Sequence, residues 1–181
     1  MKTMAIGIFL AVFASPAFAQ GQAAAARAAA GCGPNEVKFD VKTDKKQYPI
    51  GQPESGKALV YVFADESADN GGIHIGGLTT RIGLDGAWVG ANRGKSYFFF
   101  SVDPGDHRLC TNWQSGVSSR SNLGSATTLS VEAGKIYYFR TSHYFIPEGQ
   151  RQVGMKLEPL DATEAQLLIA FCSLSTSRPK K

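Results

Sequence analysis

Between Thr79 and Arg140 the chain is written as short alternating segments cut by turn signals at close intervals: TTRIGLDGAWVGAN, RGKSYFFFSVDPGDHRLCTNW and TTLSVEAGKIYYFR. Alternation of apolar and polar residues suits a half-buried strand, and Asp-Gly, Pro-Gly and Ala-Gly-Lys reverse the chain between such strands. The stretch dictates an antiparallel β architecture. It carries no assembled set of catalytic side chains.

The first residues read as an export signal. Lys2 is a short positive region, Met4 to Ala14 an apolar region, and Ala17-Phe18-Ala19 offers small residues for cleavage before Gln20. The apolar run is too short for a permanent membrane anchor. No later segment reaches spanning length, so a soluble periplasmic or extracellular protein is expected. Ala29-Ala30-Gly31-Cys32 loosely resembles a lipidation box, but an Ala-rich spacer containing Arg27 separates it from the apolar region. Gln20 to Glu36 reads as an Ala-rich flexible leader.

Loss of Met1 to Ala19 lowers Lys+Arg from 19 to 18 against 15 Asp+Glu, a net charge of +3. That excess is small and scattered, and it argues against nucleic acid as a partner. The remaining length suits one domain with a single core.

Three cysteines are present, Cys32, Cys110 and Cys172. Export favours a disulfide, and one pair leaves one thiol over. Cys110 alternates out of phase with Leu109 and Trp113, so it faces away from the side those two bury. A covering segment reaches it there. Cys32–Cys110 is the expected pair, with Cys110–Cys172 as the alternative. No two cysteines share a short ligand spacing, so no zinc site is expected.

Along the chain, Val37 to Val41 reads as a short first strand and Thr43 to Ser55 as a loop. Lys57 to Ala64 (KALVYVFA) is almost continuously apolar, which predicts a central strand buried on both faces. Asp65 to Gly77 is a Gly-rich loop around His74. Arg81 to Leu84 and Ala87 to Asn92 form a hairpin through Asp85-Gly86. Ser96 to Val102 is a second central strand, and His107 to Trp113 follows the Asp103-Pro104-Gly105-Asp106 turn. Gln114 to Ser125 is a second loop. Ala126 to Val131 and Ile136 to Ser142 read as a hairpin across Glu132 to Lys135. A third loop, Phe145 to Gln152, precedes the strand Val153 to Glu158.

The one helix predicted is Ala162 to Leu174. Asp161 and Glu164 form a capping box, and Leu167, Leu168, Phe171, Cys172 and Leu174 form its buried stripe. On this reading Phe171→Ala removes a buried aromatic and costs about 3–5 kcal/mol. Ser175 to Lys181 is expected to fray as a basic tail.

The order G-K-A-L-V-Y-V, L-D-G-A-W-V-G, V-D-P-G-D-H-R-L and A-G-K-I-Y-Y-F-R, behind an export signal, resembles the family catalogued as Domain of Unknown Function 2846. The resemblance spans Gly56 to Leu168. It implies an exported bacterial β-protein and transfers no catalytic residues. Similar short turns occur in carbohydrate-binding-like and surface-layer β-sandwich modules.

Among candidate residues, His74, His107 and His143 are the one set from which a metal-dependent hydrolase is conceivable. The simpler reading has His107 packing on its turn beside Asp103 or Asp106. Arg140 ends an aromatic strand, and its simplest role is a clamp on a neighbouring turn such as Asp103. Tyr61, Tyr97, Phe99, Tyr137 and Phe139 are expected in the core. Trp88, close to a hairpin tip, is the best candidate for stacking a sugar or docking a partner. Its hairpin neighbours Arg81 and Asn92 complete the expected binding set, with His74 ranked after them.

The sequence therefore predicts an all-β chain: residues 37–174 as an antiparallel two-sheet β-sandwich with one C-terminal α-helix, after a signal peptide at 1–19 and a leader at 20–36, with a frayed tail at 175–181. The expected role is a non-catalytic cell-envelope protein that binds a protein partner or a glycan through its loops, without cofactor or metal. A His-based metal-dependent hydrolase and a purely structural envelope component are the alternatives.

Overall fold

A computed structural model describes residues 31–64, 78–114, 124–146 and 152–181. The expected signal segment and His74 lie outside them. In chain order the elements are β1 (Phe39–Asp44), β2 (Ala58–Ala64), β3 (Thr79–Leu84), β4 (Ala87–Arg93), β5 (Ser96–Val102), β6 (Gly105–Gln114), β7 (Gly124–Val131), β8 (Ile136–Ile146), β9 (Gln152–Pro159), α1 (Ala162–Phe171) and β10 (Ser173–Pro179).

Two sheets form the sandwich, one in the order β1-β10-β5-β2-β8-β9 and the other in the order β4-β3-β6-β7. The four-stranded sheet is antiparallel throughout. The six-stranded sheet includes two parallel pairings, β2 with β8 and β10 with β5. Parallel neighbours need a crossover. The one between β9 and β10 carries α1 from one edge of the sheet, across its outer face, to a position beside β5.

β2 lies at the centre, as its apolar run predicts. Ala58, Val60 and Val62 meet Ile82, Leu109, Leu129 and Val131 of the other sheet in the intersheet core. Leu59, Tyr61 and Phe63 point the other way and are covered by Leu160, Ala165, Leu168 and Ile169. Tyr61 gathers the aromatic residues of that outer layer, with ring centroids of Phe99 at 4.9 Å, Tyr138 at 5.3 Å and Tyr97 at 6.2 Å.

The hairpin through Asp85-Gly86 forms as expected. Both turn residues take positive φ, 51° and 83°, as a type I′ reversal requires. The expected hairpin across Glu132 to Lys135 does not form. β7 and β8 belong to different sheets, and the turn carries the chain between layers. It is held by β2 instead, with Gly134 N–H donating to Lys57 O at 2.8 Å and Leu59 N–H to Lys135 O at 3.0 Å.

The C-terminal expectations need two corrections. Ser173–Pro179 is a strand rather than a frayed tail, paired antiparallel with β1 and parallel with β5. Its Ser and Thr residues suit an alternating strand, with Ser173 and Ser175 turned inward. The helix ends at Phe171, and its buried stripe is Ala165, Leu168, Ile169 and Cys172. Leu167 and Phe171 face outward. Residues 162–171 are apolar nearly all round, so periodicity alone does not choose a face. The cap sets the phase: Asp161 Oδ1 accepts from Thr163 N–H at 2.8 Å and Glu164 N–H at 3.0 Å. The Glu164 carboxylate meets Arg140 Nη1 at 2.6 Å.

Candidate functional site

Ile82 points into the intersheet core, so its neighbours Arg81 and Gly83 face outward from the four-stranded sheet. The β3–β6 register places Asn112 opposite Arg81 and Cys110 opposite Gly83. An irregularity in the β3–β4 pairing at Ile82/Gly83 brings Trp88 opposite Gly83. Arg81, Trp88, Arg108, Cys110 and Asn112 thus share one outer face.

Residues 31–38 run across this face as a strap. The Cys32–Cys110 disulfide pins it, with Cα atoms 5.5 Å apart, as the cysteine phase predicts. Cys172 is the remaining buried cysteine. Gly83 lets the strap lie flat, because a Cβ there would collide with the Cys32 carbonyl. Gly33, at φ +151°, lies against the indole, and a Cβ on it would sit 2.7 Å from Trp88 Nε1.

Side chains of the sheet grip the strap by its backbone. Trp88 Nε1 donates to Pro34 O at 2.8 Å. Arg81 Nη1 donates to Val37 O at 2.6 Å and Asn35 O at 3.2 Å, and Nη2 donates to Asn112 Oδ1. Gln114 clamps the next residue in both directions: its Oε1 accepts from Phe39 N–H at 2.6 Å and its Nε2 donates to Phe39 O at 3.0 Å.

Arg81 is 2 % exposed, and its Nε–H has no acceptor. Among the described residues no carboxylate pairs with it. Burial pushes its pKa below the ordinary arginine value. The guanidinium is stabilised by backbone carbonyls and by the Trp88 ring beneath it. Its charge is therefore not neutralised locally.

Beside the strap opens a cleft of about 350 Å³ lined by Asn35, Trp88, Arg108, Asn112 and Ser125 among others, with no Asp or Glu among its described lining residues. Arg81 occupies the Asn112 carbonyl oxygen, which turns that amide's NH2 end the other way.

The structure thus brings two of the expected binding residues together, Arg81 and Trp88, and separates Asn92 from them. Asn92 is fully buried and faces the opposite side of β4, with Nδ2 donating to Val62 O at 2.9 Å. It ties the two sheets together instead of meeting solvent. The reason is alternation around the β3–β4 irregularity, which returns even-numbered Asn92 to the inner face opposite Thr80. Sequence reading missed Gln114, Asn112 and Gly83. A glycine inside a strand signals close backbone approach, and Gly83 is the residue that carried this signal.

The two described histidines do not come together. His107 bridges two turns, with Nδ1 2.6 Å from Asp85 Oδ2 and Nε2 2.8 Å from Asp103 O. Both partners are acceptors, so both ring nitrogens must carry protons and the site favours imidazolium. The Asp85 bond raises its pKa above 6.5. Burial tends to raise the Asp85 pKa, but Arg108 N–H and His107 outweigh it and hold the carboxyl below its ordinary value. His143 is buried at the far end of the sandwich, its ring 6.0 Å from Trp113. Trp113 and His107 are six residues apart on β6, roughly 20 Å along the strand. His143 Nε2 has no partner, and burial lowers its pKa. Among the described residues no cluster of His, Cys, Asp and Glu is arranged to hold a metal.

Arg140 does not reach Asp103 either. It holds Glu158 at 2.9 Å and Glu164 at 2.6 Å, joining β8, β9 and α1. Lys57 takes Asp103 at 3.6 Å. Among the described residues no helix is long and apolar enough to cross a membrane.

A family model described as "Protein of unknown function (DUF2846)" matches residues 54–154. No curated protein and no solved structure matches the chain.

Proposed function

The chain belongs to the DUF2846 family, and we propose that it is an exported, non-catalytic envelope protein that binds an acidic glycan in the cleft beside the strap. The observation that carries this reading is the charge of that cleft. Arg108 lines it, Arg81 lies buried behind its wall without a carboxylate partner, and no acidic side chain lines it among the described residues. In a low-dielectric wall an uncompensated guanidinium projects its potential outward and favours a carboxylate-bearing ligand. Asn35, Asn112 and Ser125 supply the polar groups that sugar hydroxyls pair with.

Trp88 supports this site from below. Its indole N–H and part of its ring surface are engaged by the strap and by Arg81, so it holds the wall rather than offering a free stacking face. Export is read from the signal-like Met1 to Ala19, and an oxidised Cys32–Cys110 pair fits that compartment.

The test is a glycan array probed with the protein and with Arg108→Gln. Capture of uronic-acid-containing glycans over neutral ones, weakened at least about tenfold by Arg108→Gln, is the expected result. Equal capture of neutral glycans, or capture indifferent to Arg108, overturns it.

A further inference from the structure

We propose that the outer face of the six-stranded sheet docks on an anionic lipid surface. This face is separate from the glycan cleft, which lies on the other sheet. Five of the six large hydrophobic side chains exposed among the described residues belong to it: Ile50 at 70 %, Phe171 at 66 %, Leu167 at 58 %, Tyr48 at 48 % and Tyr144 at 40 %.

Four of these lie on the two segments that cover Tyr97. Tyr97, opposite Leu174 in the β5–β10 pairing, points outward among the residues that α1 covers. Its hydroxyl lies 3.5 Å from Pro49 O, which places the Tyr48–Ile50 segment over it. Burial, together with neighbouring Tyr61, Cys172 and Tyr48, pushes that hydroxyl up to about 12. The C-terminal end of α1, with Phe171 one turn beyond Leu167, and the Tyr48–Ile50 segment therefore both lie beside Tyr97. An apolar cluster of this kind, left outward by both covering segments, is unusual on a soluble sandwich.

Basic residues continue the same face. Leu174 of β10 faces outward, and so do Thr176 and Arg178 by alternation. The β1–β10 register sets Asp44, Lys42 and Asp40 beside them. Lys42 and Arg178 flank a small cleft of about 180 Å³ between the two strands, with Asp40, Thr176 and Ser177 as its other walls. Asp40 is taken by Lys180 at 3.3 Å, which leaves Lys42 and Arg178 without an ion-pair partner among the described residues. The turn after β1 is fixed by Lys46 N–H donating to Asp44 Oδ1 at 2.7 Å and by Tyr48 O–H donating to Lys45 O at 2.7 Å. It presents exposed Lys45 and Lys46 next to Tyr48 and Ile50.

The combination selects the occupant. Apolar and aromatic side chains that enter an interface, rimmed by lysines and arginine with a cleft for one phosphate, match a bilayer of acidic phospholipids. A flat protein partner would not demand the phosphate-sized cleft, and a second copy of this chain would bring like charge against Lys42, Lys45, Lys46 and Arg178.

The experiment is co-sedimentation of the purified protein with vesicles of phosphatidylcholine alone or with phosphatidylglycerol added. The comparison set is K42E/R178E and I50S/F171S, each carrying the same residues 1–30, so the differences read the patch alone. All four positions are exposed, and unchanged circular dichroism and thermal midpoint confirm each fold. Wild type is expected on the phosphatidylglycerol vesicles and not on phosphatidylcholine, and added salt releases it. Each basic residue near an anionic surface contributes about fivefold, so K42E/R178E is expected to lose at least about tenfold in partitioning. I50S/F171S is expected to lose binding while keeping its salt dependence. Equal binding to both vesicle types overturns the proposal. So does binding unaffected by either double variant, or binding abolished by inorganic phosphate but untouched by I50S/F171S. Sedimentation equilibrium covers the remaining occupant: a dimer that I50S/F171S dissolves, with no vesicle binding, assigns the patch to a second copy instead.

Discussion

The guanidinium carbon of Arg81 lies 4.3 Å from the centre of the Trp88 ring. Neither residue is free for a ligand on that side. Each serves the other, and both hold the backbone of residues 34–37. The binding surface expected at this hairpin is thus occupied by the chain itself, and the open cleft lies alongside the strap.

Trp88→Ala removes the cation–π contact, the bond to Pro34 O and the packing under Gly33. Urea denaturation is expected to show a loss of about 2–4 kcal/mol. In a double-mutant cycle with Arg81→Met, a coupling of about 1 kcal/mol is expected between the two. Additive effects would show that the two side chains act independently.

Breaking the disulfide frees a loop closed over a sequence separation of 78. Cys32→Ser with Cys110→Ser is expected to cost about 4–5 kcal/mol by the chain-entropy estimate. Hydrogen exchange supplies the local signature: the Phe39 amide, held by Gln114, loses protection well before the β2 amides do. Uniform loss across the sandwich would mean that the strap is not a separate unit.

His107 and His143 respond to pH with opposite sign. The His107 pKa is raised in the folded state, so its bond to Asp85 stabilises the fold fully below the unfolded value near 6.5 and is lost as pH rises through the higher folded value. The His143 pKa is lowered, so its contribution is intact above 6.5 and is lost as pH falls toward the folded value. Stability profiles of His107→Gln and His143→Phe, measured across this range, are expected to differ from wild type at their acidic ends in opposite directions. Parallel profiles would contradict the assignment of either ring.

Phe171→Ala, which costs about 3–5 kcal/mol on the sequence reading, is expected to change unfolding free energy by less than about 0.5 kcal/mol, because its side chain faces outward. Ile169→Ala, on the buried side of the same helix, is expected to cost about 2–4 kcal/mol. Similar costs at both positions would mean that the helix sits in the other phase.

The legible parts of this chain were those decided locally. The Asp85-Gly86 turn, the doubly buried β2 and the outward phase of Cys110 each follow from a few adjacent residues. What escaped depends on partners distant in sequence. Ser173–Pro179 becomes a strand because β1 and β5 are on either side of it, not because its own residues insist. Lys135 ends a turn that looks like a hairpin until β2, some 75 positions earlier, claims both sides of it. At the candidate site, Arg81 and Trp88 were visible as a hairpin pair. Gln114 and Asn112 were not, since they act on a strap whose path is set by the Cys32–Cys110 bond, whose ends are 78 apart in sequence.

The neighbour order β1-β10-β5 also governs when this protein can exist. β10 fills the gap between the earliest described strand and β5, and Lys180 N–H donates to Lys38 O at 2.7 Å. A nascent chain still short of residue 173 has β1 with no ladder and β5 with a bare edge. Whether it emerges from a ribosome or threads a translocation pore, it stays unlocked until residues 173–179 are delivered, and then closes in one long-range step. The interval before that step is when the open β5 edge is vulnerable to pairing with another chain, and a holding chaperone would be of most use then.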